Sequence, residues 1–536
     1  MKRLSQFALL TVALAAAPDP AAAQTPPAWT RGAVCYEVFI RSFYDSNGDG
    51  IGDLNGLTSK LDYINDGNPK STSDLGARCI WLMPVSPSPS YHGYDVTNYY
   101  GVNPEYGTTA DFKRFVAAAH ARGIKVIVDM VLNHSSNEHP YFQQALRDTA
   151  SPYRSWYRFS PTPGPKGPWG APSWRKSPVR DEYYYGIFSP GMPDLNYETP
   201  AVRDEAKKIA GYWLTTMGVD GFRLDAVQYL VEQGACNKDC AGTHAFLRSY
   251  QAYIDSVKPG AYTIGEVWDP IDTLLTYYPH QLTAYFTFDL ADSLRTAVRR
   301  GSTGGMFAPY LRLQAAEPSY RWSPLLSNHD GTRIMTVLGD SMPNARQAAT
   351  LLLTLPGLPY IYYGEEIGMV GDKPDPRLRT PMQWAPGTGM GFTTGKAWEP
   401  AQPDSMTRTV AAETTDHGSL LNLYRRLIHV RGANQALAVG RLVPVQTNNP
   451  HAAAYLRVAQ GSMALVVANL SGVQLDGVTI DAPAGTLPPD DYAPHELLGG
   501  PDGARLHTTS TGAISRYAPV QTLAPHQTLV FTLDPR

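Results

Sequence analysis

Between residues 33 and 365 the sequence alternates short apolar runs with longer segments of helical periodicity. Eight of the apolar runs are candidate strands, at residues 33–40, 77–83, 125–131, 219–226, 262–268, 284–289, 323–330 and 359–365. Helix-period segments lie between them, for instance at residues 109–122, 200–217, 244–257 and 345–355. Strands that alternate with helices form parallel sheets, and eight such units can close on themselves. The pattern therefore predicts an α/β protein built on a (β/α)8 TIM barrel.

Two segments interrupt this alternation. Residues 135–193 are rich in Pro, Gly, Trp and Tyr and show no helical period, which predicts an inserted domain after the third strand. Near the C-terminus, short strand-like runs are separated by Pro and Gly turns, which predicts an antiparallel β-domain. The expected organisation is a barrel in two parts, at residues 24–134 and 194–438, followed by a C-terminal β-sandwich domain at residues 439–536.

Composition limits the possible partners of the chain. With 536 residues, 43% of them hydrophobic, the chain can bury a large core in more than one domain. The 45 Lys and Arg residues nearly balance the 48 Asp and Glu residues, and no run of like charges occurs. A nucleic acid or an anionic membrane therefore has no electrostatic support as a partner, and a neutral substrate fits better. We expect a monomer.

The N-terminus has the three regions of a secretory signal. Met1, Lys2 and Arg3 precede an apolar stretch at residues 7–17 and the small residues 21–23. This order predicts a signal peptide at residues 1–23. A membrane anchor is disfavoured because the apolar stretch is too short to span a bilayer. We therefore expect a secreted protein, periplasmic or extracellular, with no membrane partner after cleavage.

Export makes disulfides possible, and three pairings of the four cysteines are formally open. Cys236 and Cys240 flank a short polar loop, which favours a local bridge. Cys35 and Cys79 lie inside apolar, strand-like runs, where buried thiols are the simpler interpretation. No Cys-x-x-Cys pair occurs, so a zinc ribbon or a thioredoxin-type site is disfavoured.

Three predicted strands end in a carboxylate, namely Asp225, Glu266 and Asp330. Strands of a parallel barrel end on one face, so these side chains are expected to share a pocket. A single acid at a strand end is as often a cap or half of an ion pair, but three acids on different strands favour a catalytic site. Burial beside Trp268 and the other acids would raise the pKa of Glu266, as a general acid requires.

Four ordered motifs resemble signature regions of the α-amylase family of glycoside hydrolases, at residues 129–134, 221–227, 265–268 and 327–330. A fifth segment, residues 192–196, resembles a signature of members intermediate between α-amylases and oligo-1,6-glucosidases. The resemblance covers nearly all of the chain after residue 23. It implies a retaining hydrolase whose substrates are α-glucans such as starch and maltooligosaccharides.

The resemblance also assigns the site residue by residue. It implies that Asp225 is the nucleophile, Glu266 the general acid/base and Asp330 the stabiliser of the transition state. Retaining hydrolysis needs two carboxyl groups about 5 to 5.5 Å apart, which the ends of neighbouring strands can supply. Around the glucose at the cleavage point the resemblance places Tyr94, His134, Arg223 and His329. A Tyr ring can stack on the sugar, and His and Arg donate hydrogen bonds to hydroxyls.

Two neighbouring polar residues have simpler interpretations. Asp129 is interpreted as the partner that orients Arg223, and His92 as part of the pocket wall. Neither is included among the candidate catalytic residues.

Residues 45–53 place oxygen side chains at alternate positions, with glycines that allow a tight loop. This arrangement suits a hard cation and resembles the calcium loop of oligo-1,6-glucosidase-like relatives. The implied Ca²⁺ ligands are the side chains of Asp45, Asn47, Asp49 and Asp53 and the carbonyl of Ile51. The alternative is an acidic turn without metal, and the expected role of the ion is structural.

One departure from the family pattern follows Asp225. Where a Lys-His pair is expected after Val227, the chain has Gln228 and Tyr229. The change leaves a second calcium site between barrel and insertion undecided, with Asn133 as a possible ligand. It also removes a basic group from the side of the leaving glucose.

Substrate preference depends on few residues. Exo-acting relatives usually carry Asp where this chain has Tyr91, so the cleft is expected to be open at that end and to favour internal cleavage. Residues 380–384 and the pair Gly391-Phe392 instead resemble glucosidases and trehalose synthases. We expect an endo-acting α-amylase. The alternatives are an exo-acting α-glucosidase or oligo-1,6-glucosidase, a trehalose synthase-like transglucosylase and, in another class, a non-catalytic relative that kept the barrel.

Overall fold

The computed structural model describes residues 27–535. The first eleven strands are β1 (Cys35–Val38), β2 (Cys79–Leu82), β3 (Lys125–Met130), β4 (Phe159–Ser160), β5 (Trp174–Lys176), β6 (Tyr183–Tyr185), β7 (Gly221–Leu224), β8 (Tyr262–Gly265), β9 (Ala284–Phe286), β10 (Trp322–Ser323) and β11 (Tyr360–Tyr362). Eight of them form one parallel sheet in the order β10-β9-β8-β7-β3-β2-β1-β11. A parallel bridge between Leu325 and Tyr360 brings its two edges together. The predicted TIM barrel is confirmed.

The α-helices are α1 (Ile40–Phe43), α2 (Leu54–Ser59), α3 (Leu61–Ile64), α4 (Thr109–Ala121), α5 (Pro140–Arg147), α6 (Pro200–Thr215), α7 (Ala241–Val257), α8 (Ile271–Leu275), α9 (Phe288–Arg300), α10 (Ala308–Ala316), α11 (Ile334–Val337), α12 (Met342–Thr354), α13 (Asp375–Leu378), α14 (Val410–Thr415), α15 (Leu420–Ala433) and α16 (Gln435–Val439). Short 3-10 helices lie at Ala28–Thr30, Arg154–Trp156, Val227–Tyr229, Ser319–Arg321, Glu365–Ile367 and Thr388–Gly391. None of the helices among residues 27–535 combines the length and apolarity needed to cross a bilayer.

Local sequence signals fix where the longer helices begin. Thr108 and Asp111 form a capping box at the start of α4, each accepting a hydrogen bond from the other's backbone N–H. Pro200 is the first residue of α6, where its missing N–H has no helical partner to lose. These starts turn the buried faces of the helices toward the barrel, and the predicted helices 109–122 and 200–217 are present with ends shorter by one or two residues.

The inserted segment, residues 135–193, contains a helix that the sequence prediction excluded. Helix α5 buries Phe142, Ala145 and Leu146 on one face and exposes the other. The prediction of no helical period was wrong because eight residues give only two turns of apolar repeat. The remainder forms a small antiparallel sheet in the order β4-β6-β5. A bridge between His134 and Asp194 closes the base of the segment against the barrel.

The C-terminal strands are β12 (Arg441–Pro444), β13 (Gln446–Thr447), β14 (Ala452–Ala459), β15 (Ser462–Asn469), β16 (Leu475–Asp476), β17 (Ile480–Ala482), β18 (Asp491–Glu496), β19 (Leu506–His507), β20 (Ile514–Tyr517), β21 (Thr522–Leu523) and β22 (Thr528–Pro535). Six form a sheet in the order β12-β14-β15-β22-β18-β19, in which neighbouring strands are antiparallel. A three-stranded sheet, β13-β17-β20, and a two-stranded sheet, β16-β21, complete this region. The fold class is therefore a TIM barrel followed by an antiparallel β-domain, as predicted.

Two buried arginines bind carbonyls near the junction of the barrel and the C-terminal region, and Arg457 joins the two regions. Arg457, on β14, donates from Nε and Nη2 to the carbonyl of Gly440 at 3.1 and 2.8 Å, and from Nη1 to that of Thr354. Arg431, on α15, donates to the carbonyls of Leu353 and Leu355 at 2.8 and 2.9 Å. Both side chains are fully buried. Each satisfies helix-end or loop carbonyls that would otherwise be buried without a partner.

Two disulfides are present, Cys236–Cys240 and Cys35–Cys79. The local bridge was predicted and is confirmed. The interpretation of Cys35 and Cys79 as thiols was wrong, because β1 and β2 are neighbours whose register places these residues directly opposite each other, with Cα atoms 4.4 Å apart. The predicted signal peptide at residues 1–23 lies outside the described residues, and the domain boundaries remain predictions.

Candidate active site

Two of the three candidate carboxylates are neighbours because their strands are neighbours. Asp225 follows the last residue of β7, and Glu266 follows the last residue of β8. The parallel register pairs Leu224 with Gly265, so the next residue on each strand emerges at the same level. Asp330 comes from a buried loop, seven residues after the end of β10, and not from a strand end as predicted.

All three carboxylates line one cavity of about 660 Å³ at the carboxyl ends of the strands. Of the residues predicted to surround the substrate, Tyr94 and His134 also line it. Arg223 and His329 are fully buried and contact the carboxylates from behind the cavity wall. His92 lines the cavity, as its interpretation as a wall residue predicted.

Arg223 is the cation that gathers the carboxylates. Its guanidinium lies 2.7 Å from Asp225 Oδ1 through Nη1 and 2.7 Å from Glu266 Oε2 through Nη2. Asp129 Oδ1 accepts a third contact from Nη1 at 2.9 Å, as predicted for the residue that orients Arg223. One small planar group thus holds two acids of the cavity and one acid behind it in fixed positions.

Burial sets the protonation of the two neighbouring acids. The pKa of Asp225 is raised by burial and by the charge of Asp330, against the opposing effect of Arg223. The pKa of Glu266 is raised by burial and by the charges of Asp225 and Asp330, again opposed by Arg223. A buried acid beside other carboxylates keeps its proton to higher pH, which is what a proton donor needs.

An ion pair with the fully buried His329 holds Asp330 in the opposite state. His329 Nε2 lies 3.0 Å from Asp330 Oδ2, and His329 Nδ1 lies 2.6 Å from Glu37 Oε1. Burial disfavours a charged imidazole, but the carboxylates of Asp330 and Glu37 outweigh it and raise the pKa of His329 to about 10. Burial would raise the pKa of Asp330, but His329 and Arg379 lower it far below its usual range. Asp330 is therefore an anion.

Sequence reasoning missed Glu37 and Arg379. Glu37 sits in β1, every residue of which is buried, so a charged residue inside an apolar strand was the available signal. Arg379 donates from Nη2 to Asp330 Oδ1 at 2.9 Å and from Nε to the carbonyl of His329 at 3.0 Å. It comes from the irregular segment after α13, where no periodic pattern pointed to the cavity.

Tyr94 and His134 form another part of the cavity wall. The Tyr94 ring lies parallel to that of His329, with centroids 5.6 Å apart, and its hydroxyl donates to Asp129 Oδ2 at 3.0 Å. His134 Nε2 lies 3.1 Å from the carbonyl of Tyr94. Burial lowers the pKa of His134 to about 4, so its imidazole is neutral at ordinary pH. A neutral ring can donate or accept one hydrogen bond without adding charge to the cavity.

The wall beyond Asp225 and Glu266 is aromatic. Trp169 packs against Phe188 and Tyr229, with ring centroids 5.4 and 5.3 Å apart, and all three line the cavity. Trp268 also lines it and stacks on Phe288 at 3.8 Å, while about half of its surface stays exposed. Exposed, immobilised aromatic faces of this kind favour flat ligands with C–H surfaces.

Two features relevant to substrate preference lie outside the cavity lining. The Tyr91 ring stacks on that of Trp398, with ring centroids 5.3 Å apart. Exo-acting relatives usually carry an Asp at this position, and the tyrosine supplies no carboxylate there. None of residues 380–384 lines the cavity, and Trp384 instead donates to the carbonyl of Phe43 within the core at 2.6 Å. Residues 380–384 therefore pack beside the cavity without lining it.

The acidic loop 45–53 is folded around its own backbone. Asp45 accepts hydrogen bonds from the N–H groups of Asn47, Gly48 and Gly50, and Asp53 accepts from Ser46 N and caps α2. The side-chain atoms that could bind a metal ion are all oxygen, which fits a hard divalent cation. Both carboxylate oxygens of Asp45 already accept two hydrogen bonds each. Among residues 27–535, no three His, Cys, Asp or Glu side chains are gathered closely enough to hold a metal ion.

The chain is similar to known proteins over most of its length. Residues 37–440 match the family described as "Alpha amylase, catalytic domain". Alpha-amylase 3 of Dictyoglomus thermophilum is 38% identical over 452 residues, which cover 83% of this chain and 86% of the relative. Trehalose synthase/amylase of Mycolicibacterium smegmatis is 36% identical over 490 residues, which cover 80% of each chain. The crystal structure of α-amylase from H. orenii has a TM-score of 0.81 and 38% identity, covering 94% of this chain and 99% of that chain.

The match to the family covers most of the chain, and the solved α-amylase shares its fold. The resemblance inferred from the four motifs is thereby confirmed, and the non-catalytic alternative is set aside. The chain is an enzyme and belongs to the α-amylase family of glycoside hydrolases.

Proposed function

We propose that the chain is a secreted α-amylase that cleaves internal α-1,4 bonds of starch and maltooligosaccharides with retention of configuration. The observation that carries the proposal is the pair of neighbouring strand-end acids, Asp225 and Glu266, held by the single guanidinium of Arg223. Contact with one guanidinium keeps the two carboxyl groups near each other, which supports retention, whereas inversion needs a wider separation that admits a water molecule.

In the proposed mechanism, Asp225 attacks the anomeric carbon while Glu266 donates its proton to the leaving oxygen. The glycosidic bond breaks and a covalent glucosyl ester forms on Asp225. Water then attacks the same carbon, Glu266 takes up its proton, and the ester bond to Asp225 breaks. Asp330, anionic beside His329, stabilises positive charge on the flattened ring in both steps.

Binding of the glucosyl unit is proposed to use the predicted residues. The face of Tyr94 stacks on the ring, and His134 offers a neutral hydrogen-bonding group to a hydroxyl. His329 and Arg223 act on the substrate through the carboxylates that they hold. The carboxylates that line the cavity fit a neutral sugar that develops positive charge during reaction.

Internal cleavage is supported by the absence of an acid at Tyr91, since nothing at that position would grip a chain end. A trehalose synthase-like transglucosylase is the second candidate, because the relative from Mycolicibacterium smegmatis carries both activities in its name. Both candidates share the glucosyl ester and differ in whether water or a sugar accepts the glucose.

A time course of product lengths distinguishes them. Purified enzyme is incubated with soluble starch and, separately, with maltose, beside an Asp225→Ala control. A rapid fall in polymer length with mixed maltooligosaccharides supports the endo-acting hydrolase. Glucose released singly, or maltose converted to trehalose or longer sugars, refutes it in favour of the second candidate. Turnover that survives in Asp225→Ala refutes the mechanism.

We also propose that the loop of residues 45–53 binds one structural Ca²⁺ through the five predicted ligands. The ion would replace none of the catalytic groups. A chelated sample should unfold at lower temperature than one with added Ca²⁺, and Asp49→Asn should weaken the recovery. Equal unfolding temperatures with and without Ca²⁺ would exclude the ion.

Export and monomeric state complete the proposal. The signal at residues 1–23 and the two disulfides are both typical of exported proteins. N-terminal sequencing of the mature protein tests cleavage after Ala23, and light scattering of the purified protein tests the monomer. An uncleaved N-terminus or a dimer mass would overturn the respective statement.

A further inference from the structure

The Lys-His pair that the family pattern places after Val227 is absent from this chain, which has Gln228 and Tyr229 there. The cavity therefore lacks the expected cation on the side of the leaving sugar. In its place stands Gln228, which is buried and turned away from the cavity. Its amide nitrogen donates to Asp269 Oδ2 at 2.6 Å and to Asp239 Oδ1 at 3.0 Å, and its carbonyl accepts from Trp268 N at 2.7 Å. Gln228 therefore ties together two loops and does not itself face a ligand.

One of these loops brings a different cation to the cavity. Residues 236–240, here called the disulfide loop, are closed by the Cys236–Cys240 bridge and carry Lys238, which lines the cavity. The Lys238 ammonium lies 2.6 Å from Asp269 Oδ2, and about a third of the side chain is exposed. An ammonium has three donors, so one can bind Asp269 while the others face the cavity.

The position of Lys238 assigns it to the leaving group. Its partner Asp269 lies three residues after Glu266, the proposed proton donor to the leaving oxygen, and next to Trp268. The opposite wall, with His92, Asp375 and Arg379, lies beside Asp330. A sugar leaving from Glu266 would therefore meet Trp268 and the Lys238 ammonium and not the Arg379 wall.

We propose that Lys238, held by the disulfide loop, binds hydroxyl groups of the leaving sugar and sets the preference of the enzyme for sugar leaving groups. The inference rests on the proposed glycosidase function and deepens it. Lys238 is a binding residue, and Cys236 and Cys240 position it.

The test compares two leaving groups in the same enzyme. Maltotetraose has a sugar leaving group, whereas release of nitrophenol from 4-nitrophenyl α-maltoside needs no hydroxyl contact on that side. Lys238→Met should raise the KM for maltotetraose, with kcat little changed, and lower kcat/KM by about 10-fold, the effect of one hydrogen bond to a charged group. Nitrophenol release should change by less than about twofold. Lys238→Arg should restore most of the loss.

Lys176→Met is the matched control. Lys176 is also an exposed lysine paired with an aspartate, Asp181, but it does not line the cavity. This variant should leave both substrates unaffected. Equal losses on both substrates in Lys238→Met, or no loss on either, would overturn the inference. If the wild-type enzyme cleaves neither substrate, the proposed function fails instead, so the two failures are distinguishable.

The positioning role of the disulfide has its own readout. Cys236→Ser/Cys240→Ser should lower kcat/KM for maltotetraose selectively in the wild-type background and add nothing in the Lys238→Met background, because the two changes act through one contact. Additive losses in the combined variant would show that the disulfide acts independently of Lys238.

Discussion

Replacement of Arg223 by Met should expose how much the cavity depends on one cation. The guanidinium is fully buried and contacts Asp225 and Glu266 at 2.7 Å and Asp129 at 2.9 Å. Breaking a buried ion pair by removing one partner costs about 3–5 kcal/mol, because the other charge stays buried without compensation. Met keeps the apolar stem of the side chain, so we expect a loss of unfolding free energy of about that size at neutral pH.

The sign of the pH dependence follows from the acids that remain. Without Arg223 the pKa values of Asp225 and Glu266, already raised by burial, rise further. Acids with raised pKa bind more protons in the folded state, so the stability deficit of Arg223→Met should grow as pH rises from acid toward neutral. At low pH kcat/KM falls because Asp225 becomes protonated. This acidic limb of the pH profile should move to higher pH in Arg223→Met.

Urea unfolding at several pH values and the pH profile of maltotetraose hydrolysis measure both effects. Arg321→Met is the control, since Arg321 is also buried and pairs with Glu317 at 3.2 Å but lies away from the cavity. It should lose stability and keep the acidic limb in place. A deficit in Arg223→Met that is independent of pH, or an unmoved acidic limb, would refute the electrostatic account.

Three further predictions concern single groups. Glu266→Gln should slow maltooligosaccharide hydrolysis by about 10²–10⁴-fold. Hydrolysis of α-glucosyl fluoride, whose leaving group needs no proton, should be slowed far less. Equal losses on the two substrates would contradict the role of Glu266 as acid. His329 has a folded-state pKa of about 10, so the stability that comes from its charge is fully present below about pH 6.5 and is lost as pH rises through 10. The unfolding temperature should therefore fall less steeply with pH over this range in His329→Gln than in the wild-type protein. Equal slopes for the two proteins would refute the prediction. The double variant Cys35→Ala/Cys79→Ala removes a disulfide between cysteines 44 residues apart in sequence. It should lower the free energy of unfolding by about 4 kcal/mol, as measured by urea unfolding. An unchanged urea midpoint would contradict the prediction.

The sequence predicted the barrel because apolar strands and amphipathic helices alternate clearly, but it overestimated strand lengths. The run 323–330 was predicted as one strand, whereas β10 ends at Ser323. The loop that follows is as buried as a strand up to His329, and Asp330 at its end lines the cavity. An apolar run cannot distinguish a strand from a buried loop, so the strand end was placed too late while Asp330 was still placed in the cavity.

The candidate site was predicted in part. Residues inside motifs or at strand ends, such as Asp225 and Glu266, were found because their spacing is encoded locally. Glu37 and Lys238 reach the site through the register of β1 and the closure of the disulfide loop, which are set by contacts distant in sequence. Such contacts leave no periodic signal, and only a charged residue in an otherwise apolar strand pointed to Glu37.

The arginine that joins the barrel to the C-terminal strands, Arg457, makes the last hundred residues an integral part of the enzyme. Arg457 supplies hydrogen bonds to carbonyls at the end of α12 and just beyond α16, so a barrel cut off near residue 440 would bury or expose those groups without partners. The two regions should therefore melt in one cooperative transition, and limited proteolysis should not release an intact barrel. For protein engineering, the C-terminal region is not an exchangeable module, and a fusion partner is better attached beyond β22 than inserted at the junction.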